Sequence, residues 1–166
     1  MLDYETWLEM RRLTPQDQEI MQSGSLKTIR HAEANAAHLR QWLAERVSLH
    51  VIDNFDDAHK VAAELVGCKR LALDIETAKI DPEHPQSGLN PKLSRIRLIQ
   101  YCNGTDCYLF DQFKIDSLDW INPLLDIETV AHNALFEASH FLHQGIIFSN
   151  LHDTMLMGRV FSTKTE

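Results

Sequence analysis

The sequence predicts an α/β fold, one central sheet flanked by helices, with a helical extension at its N-terminus. Three observations carry that expectation. In "KRLALDIET" the residues Leu71, Leu73 and Ile75 alternate with Ala72, Asp74 and Glu76, the period-two pattern of a strand with one buried face. From residue 49 onward, strand-like and helix-like runs are interleaved, as a layered α/β domain requires. Upstream, Leu26, Ile29, Ala32, Ala36, Leu39, Leu43 and Val47 recur at steps of three and four, the spacing of an amphipathic helix of about six turns.

The elements follow in order. A short "YETWLEMRR" segment and a "TPQDQE" turn precede the long helix, which Ser23 or Ser25 is placed to cap. "LHVI" reads as a short strand, and "DNFDDAHKVAAELVGC" as a helix opened by Asp or Asn and closed near Gly67. "KRLALDIET", "SRIRLIQYC" and "TDCYLFDQ" read as strands, with Asn103-Gly104 marking a tight hairpin between the last two. "DSLDWINPLLD" is expected to be helical, "ETVAH" a strand, "NALFEASHFLHQG" a helix ending at Gly145, "GIIF" a last short strand, and "DTMLMGRVF" a helix starting at Asp153. The boundary expected from this texture divides residues 1–48, helical, from residues 49–166.

Composition narrows the class. The 44% hydrophobic and 24% charged residues are those of an ordinary soluble globular chain. No apolar run reaches the roughly 18 residues of a membrane span, and "MLDYETWLEMRR" lacks the order of a signal peptide, so a cytoplasmic location without a membrane partner is expected. Cys68, Cys102 and Cys107 form no CxxC pair, which argues against a disulfide framework and a structural zinc site. The net charge of -8 leaves no broad basic face for duplex phosphates, although carboxylates that bind cations reconcile acidity with nucleic-acid chemistry.

Three stretches carry the acids: "LDIET", "HNALFE" and "LHDTML". Singly, each has an ordinary reading: a solvated strand edge for Asp74 and Glu76, a helix start for Asn133 and Glu137, and an N-cap for Asp153. Among the remaining polar residues, His140 and His143 lie at helical spacing and read as packing residues. Phe136, Phe141 and Leu142 read as core. Gln100 in "RLIQY" either faces the site or is simply an inward strand residue, and Lys92, Arg95 and Arg97 follow the loop "DPEHPQSGLNPKLS", where they serve either solubility or a single strand's phosphates.

Taken together and in order, these stretches resemble the DEDD superfamily of 3'-5' exonucleases, in particular the proofreading domain of family A DNA polymerases and the ribonuclease D group. "LDIET" matches the first exonuclease motif and "HNALFE" the second. "GLNPKLSRIRLIQY" matches the stretch between them, and "DTML" the helix start that follows. The resemblance implies a ribonuclease H-like fold with a mixed five-stranded sheet, and metal-dependent hydrolysis of phosphodiesters from the 3' end of a single-stranded nucleic acid. In such sites two divalent cations, Mg²⁺ or Mn²⁺, lie about 3.5–4 Å apart on the scissile phosphate. It further implies that Asp74 bridges the cations, that Glu76 binds one of them, and that Glu137 fills the place of the second-motif acid. Asn133 is an implied substrate contact by its motif position, Thr77, His132 and Arg97 are further candidate substrate contacts, and helix-entry packing is the equal alternative for His132.

The chain departs from that pattern twice. The second-motif acid is usually Asp, and Glu137 adds a methylene. The third motif, YxxxD or HxxxD, does not follow "DTML" before Glu166, and Tyr4, Tyr101 and Tyr108 all lie upstream. The exonuclease-like region is therefore expected to be C-terminally incomplete: a fragment, one half of an enzyme completed by a second chain, or a degenerate exonuclease fold that binds nucleic acid or a protein partner. On this expectation the N-terminal helix covers the surface that the missing helices leave open.

Overall fold

The computed structural model describes Gln41, residues 44–85 and residues 87–162. Of the expected N-terminal helices only Gln41 and residues 44–47 are among these, Gln41 and 44–46 being helical and Val47 not; the rest lie outside the described residues. The chain divides into two units, Met1–Ser48 and Leu49–Glu166, and the sheet belongs to the second, its first strand opening at Ser48.

The elements are β1 (Ser48–Ile52), α1 (Phe55–Leu65), β2 (Arg70–Lys79), β3 (Ser94–Cys102), β4 (Asp106–Asp111), a single turn α2 (Gln112–Ile115), a 3₁₀ helix (Asp119–Leu124), β5 (Glu128–Ala131), α3 (Leu135–His143), β6 (Leu151–Asp153) and α4 (Thr154–Ser162). They build one mixed sheet in the order β1-β4-β3-β2-β5-β6. β2, β3 and β4 form an antiparallel meander, whereas β2, β5 and β6 are parallel. The fold is thus the expected α/β class, with six strands where the family resemblance implies five.

Local chemistry sets the element ends. Asn54 caps α1, its side chain accepting from Asp57 N at 2.9 Å. At the β3–β4 turn, Gly104 takes a φ of 109° and Asn103 Oδ1 accepts from the backbone of Thr105 and Asp106, which folds the chain back as the Asn-Gly pair predicts. The buried face of β2, Leu71, Leu73 and Ile75, packs with Ile99, Tyr101, Phe110, Trp120, Leu124 and Phe141. Within that core the Phe110 and Trp120 rings stack at 4.0 Å. Each such fully buried apolar side chain contributes about 1.5–3 kcal/mol.

Three expectations are corrected. "GIIF" is not a strand. Gly145, at a φ of 78°, donates to Leu142 O while Ile146 donates to Phe141 O, so the segment's leading N–H groups close the end of α3 instead of joining a ladder. The last strand is Leu151–Asp153, paired with Thr129–Ala131. "DSLDWINPLLD" holds a 3₁₀ helix and no α-helix, with Pro123, which has no N–H to donate, inside it. Leu142 is 61% exposed and stands outside the core that Phe141 enters. No helix among the described residues is long and apolar enough to cross a membrane.

Candidate active site

The acids of β2 stand where its ladder with β5 ends. The parallel pairing runs from Arg70↔Glu128 to Ala72↔Val130, so Asp74 and Glu76 project from a stretch of β2 whose remaining ladder is with β3. Both are exposed, on the face opposite Leu73 and Ile75. The carboxyl ends of parallel strands are where an open α/β sheet leaves a crevice for ligands. Directly across from Asp74, Gln100 donates from Nε2 to Asp74 Oδ2 at 3.0 Å and fixes that carboxylate's orientation. A bulge follows: Glu76 pairs with Leu98 and Thr77 with Ile96, which leaves Arg97 as the extra residue of β3. Thr77 Oγ1 donates to Gly88 O at 2.7 Å and ties the end of the motif to the connecting loop.

The second motif leaves β5 at Ala131. Asn133 takes a left-handed φ of 61°, a conformation that Asn tolerates better than most residues. Ala134, at the head of α3, offers no side-chain cap. Asp153 supplies one from the end of β6: its carboxylate accepts from Asn133 N and Ala134 N, both at 3.1 Å. The same carboxylate caps its own helix, α4, accepting from Met155 N at 2.8 Å and Leu156 N at 3.3 Å. Desolvation works to raise the Asp153 pKa, and these four backbone donors outweigh it, holding the group below the usual carboxylate value. The N-cap expected of Asp153 is therefore present, together with a second cap on α3 that local sequence spacing does not reveal. Thr154 Oγ1 donates to Ala131 O and lies 3.0 Å from His132 Nδ1, a contact that orients the imidazole at the turn out of β5.

Glu137 lies in the first turn of α3 and is 2% exposed. Its Oε2 is buried without a hydrogen-bond partner. Burial, joined by the negative charges of Asp74 and Asp153, pushes its pKa up to about 7 against the opposing pull of its backbone hydrogen bond. One turn on, His140 is buried between Ser94 Oγ and Phe136 O, both at 2.9 Å, consistent with a packing role.

The implied site residues thus fall into two groups. Asp74, Glu76, Thr77, Glu137, His132 and Asn133 belong to β2 beyond its ladder with β5, to the turn out of β5 and to the head of α3. Arg97 is engaged elsewhere: it forms an ion pair with Asp111 and lies over the Phe113 ring at 4.6 Å. Among the described residues no group of three or more His, Cys, Asp and Glu side chains forms a ready metal site. The chemistry of the donors nevertheless suits a hard cation, because carboxylate oxygens are what Mg²⁺ and Mn²⁺ prefer and the unpartnered Glu137 oxygen sits in the field of Asp74 and Asp153.

Comparison with known proteins bears on this arrangement. The sequence model of a 3'-5' exonuclease family matches residues 49–166. A search of curated proteins finds no match. Among solved structures, Trypanosoma brucei RNase D in complex with RNA U12 superposes with a TM-score of 0.58 at 20% identity, covering 70% of this chain and 40% of that one. Escherichia coli RNase D, an exoribonuclease involved in structured RNA processing, gives 0.56 at 18% identity over 68% of this chain and 28% of that one. The EXO domain of Aedes aegypti Nibbler gives 0.55 at 17% identity, over 69% and 56% respectively. This chain therefore spans between 28% and 56% of the length of these three structures, which it resembles in fold. With the family match running from the first strand through both acid-bearing motifs, the chain belongs to the 3'-5' exonuclease family.

Proposed function

We propose that this chain carries the carboxylate half of a metal-dependent 3'-5' exonuclease site that acts on the 3' end of a single-stranded nucleic acid. The observation that supports this most is Glu137: a buried carboxyl with one oxygen unpartnered, its pKa raised by burial and further by the charges of Asp74 and Asp153. A buried carboxyl oxygen without a partner costs stability that a bound cation would recover. Asp74, Glu76 and Glu137 would hold the divalent ion, Mg²⁺ or Mn²⁺. When bound, such ions supply an activated water and neutralise charge on the phosphate under attack. Asp74 arrives oriented by Gln100. Glu137 must release its proton before it can serve as a ligand. The exposed His132 and Asn133 side chains would contact the terminal nucleotide, with Thr77 beside the connecting loop.

The same observations support one alternative, a module that keeps the fold and binds nucleic acid or a protein without hydrolysis, because the described acids do not close into a three-ligand group. The two readings separate in one experiment: a 5'-labelled single-stranded oligonucleotide, as DNA and as RNA, is incubated with the chain or its Asp74→Ala variant and Mn²⁺ or Mg²⁺. A 3'-to-5' ladder lost in the variant supports the enzyme. Binding without a ladder supports the module.

A further inference from the structure

Cys102 and Cys107 face each other across the β3–β4 hairpin as Cα partners in register. Asn103 N donates to Asp106 O at 3.1 Å to close the turn, so Cys102 and Cys107 form the next pair out, where no backbone bonds intervene and Cα atoms lie about 4.5 Å apart. That separation falls inside the roughly 4.4–6.8 Å that a disulfide spans. Both residues are half-buried and both thiols are free. Their neighbours Tyr101 and Tyr108 turn toward the core, so the two sulfurs share the opposite face, that of Gln100 and Asp74. Cys68 packs against the core instead, which leaves Cys102 and Cys107 as each other's natural partner.

We infer that Cys102 and Cys107 are a reversible dithiol–disulfide pair that a small-molecule disulfide oxidises, stapling the hairpin that carries Gln100. The exchange balances without a metal. Cys102 Sγ, as thiolate, attacks one sulfur of the oxidant, forming a mixed disulfide and expelling one small thiolate. Cys107 Sγ, having lost its proton to solvent, then attacks the Cys102 sulfur, forming the internal disulfide and expelling the second small thiolate. Two protein thiols are oxidised and one small disulfide is reduced to two thiols. Burial, with a hydrogen bond to Cys102, raises the Cys107 thiol, and the two sulfurs lie close enough that either can resolve a mixed disulfide formed on the other. Cross-linking fixes the strand pair at the position next to Gln100↔Leu109 on the same face, and so bears on the side chain that holds Asp74.

The test uses the full chain in glutathione buffers of increasing oxidised-to-reduced ratio, quenched by alkylation and digested with trypsin. Peptide 98–114 holds both cysteines and no internal cleavage site. It is expected to appear with two hydrogens fewer and no alkyl groups, in a fraction that rises with the ratio and is reversed by dithiothreitol, while Cys68 stays alkylated. The Cys107→Ser variant is expected to stop with glutathione on Cys102. A peptide that carries two glutathiones or two alkyl groups at every ratio, or a disulfide that includes Cys68, overturns the inference.

Discussion

The Asp153 carboxylate closes the head of the helix that carries Glu137, accepting the Ala134 N–H at 3.1 Å from the end of a different strand. One side chain thus sets the start of both α3 and α4, and it couples the segment after the second motif to the second motif itself.

Removing it is expected to unseat two helix starts at once. Asp153→Ala should lower the melting temperature by several degrees, and Asp153→Asn, which retains an acceptor oxygen, should recover part of that loss. Because the folded pKa of Asp153 is depressed, its stabilisation is present above the ordinary carboxylate value of 3.8 and is lost as pH falls through the folded value. Thermal melts of the two variants, followed by circular dichroism between pH 3 and pH 7 (about the range over which such groups titrate), check this. An Asp153→Ala melt equal to wild type would show that water serves the four donors equally well.

Glu137 should act in the opposite sense. Its folded pKa stands at about 7 against an ordinary 4.5, so between those values the folded chain holds a proton that the unfolded chain has given up. Stability therefore falls as pH rises through that window and levels off above it. Urea denaturation with chelator present should show the decline in wild type and a flatter profile in Glu137→Gln, whose side chain has no charge to desolvate. An unchanged slope in the variant would place the proton uptake on another group.

The core holds a polar atom that it does not need for packing. Tyr101 is fully buried, its hydroxyl has no partner, and desolvation drives its pKa upward. Tyr101→Phe keeps the ring against Phe110 and Trp120 and removes the orphan, so it is expected to raise stability by about 1 kcal/mol. A shift of the urea midpoint in the other direction would mean that a buried water satisfies the hydroxyl.

Much of this was legible in residue order because the signals are local. The alternation of Leu71, Leu73 and Ile75 with Asp74 and Glu76 appears as a strand with one buried and one exposed face, and the Asn103-Gly104 turn appears where its backbone preference puts it. What sequence could not display depends on partners far along the chain. Asp153 shows in sequence only as a cap for its own helix, and its bonds to Asn133 and Ala134 exist only once β6 lies beside β5. "GIIF" has strand-like composition, yet the left-handed turn at Gly145 and the return bond from Ile146 to Phe141 use its leading N–H groups. Arg97 follows the loop as a substrate contact would, but the bulge at Glu76/Thr77 makes it the unpaired residue of β3, and Asp111 takes its charge.

The central claim is that Asp74 and Glu137 belong to one cation site, and the most direct measurement is Mn²⁺ binding by titration calorimetry at pH values on either side of the Glu137 pKa of about 7. The account predicts tighter binding on the alkaline side, with proton release on binding at the acid side, and a loss of at least about tenfold in affinity for both Asp74→Ala and Glu137→Gln. Binding that is equal at the two pH values and unchanged in both variants would contradict it.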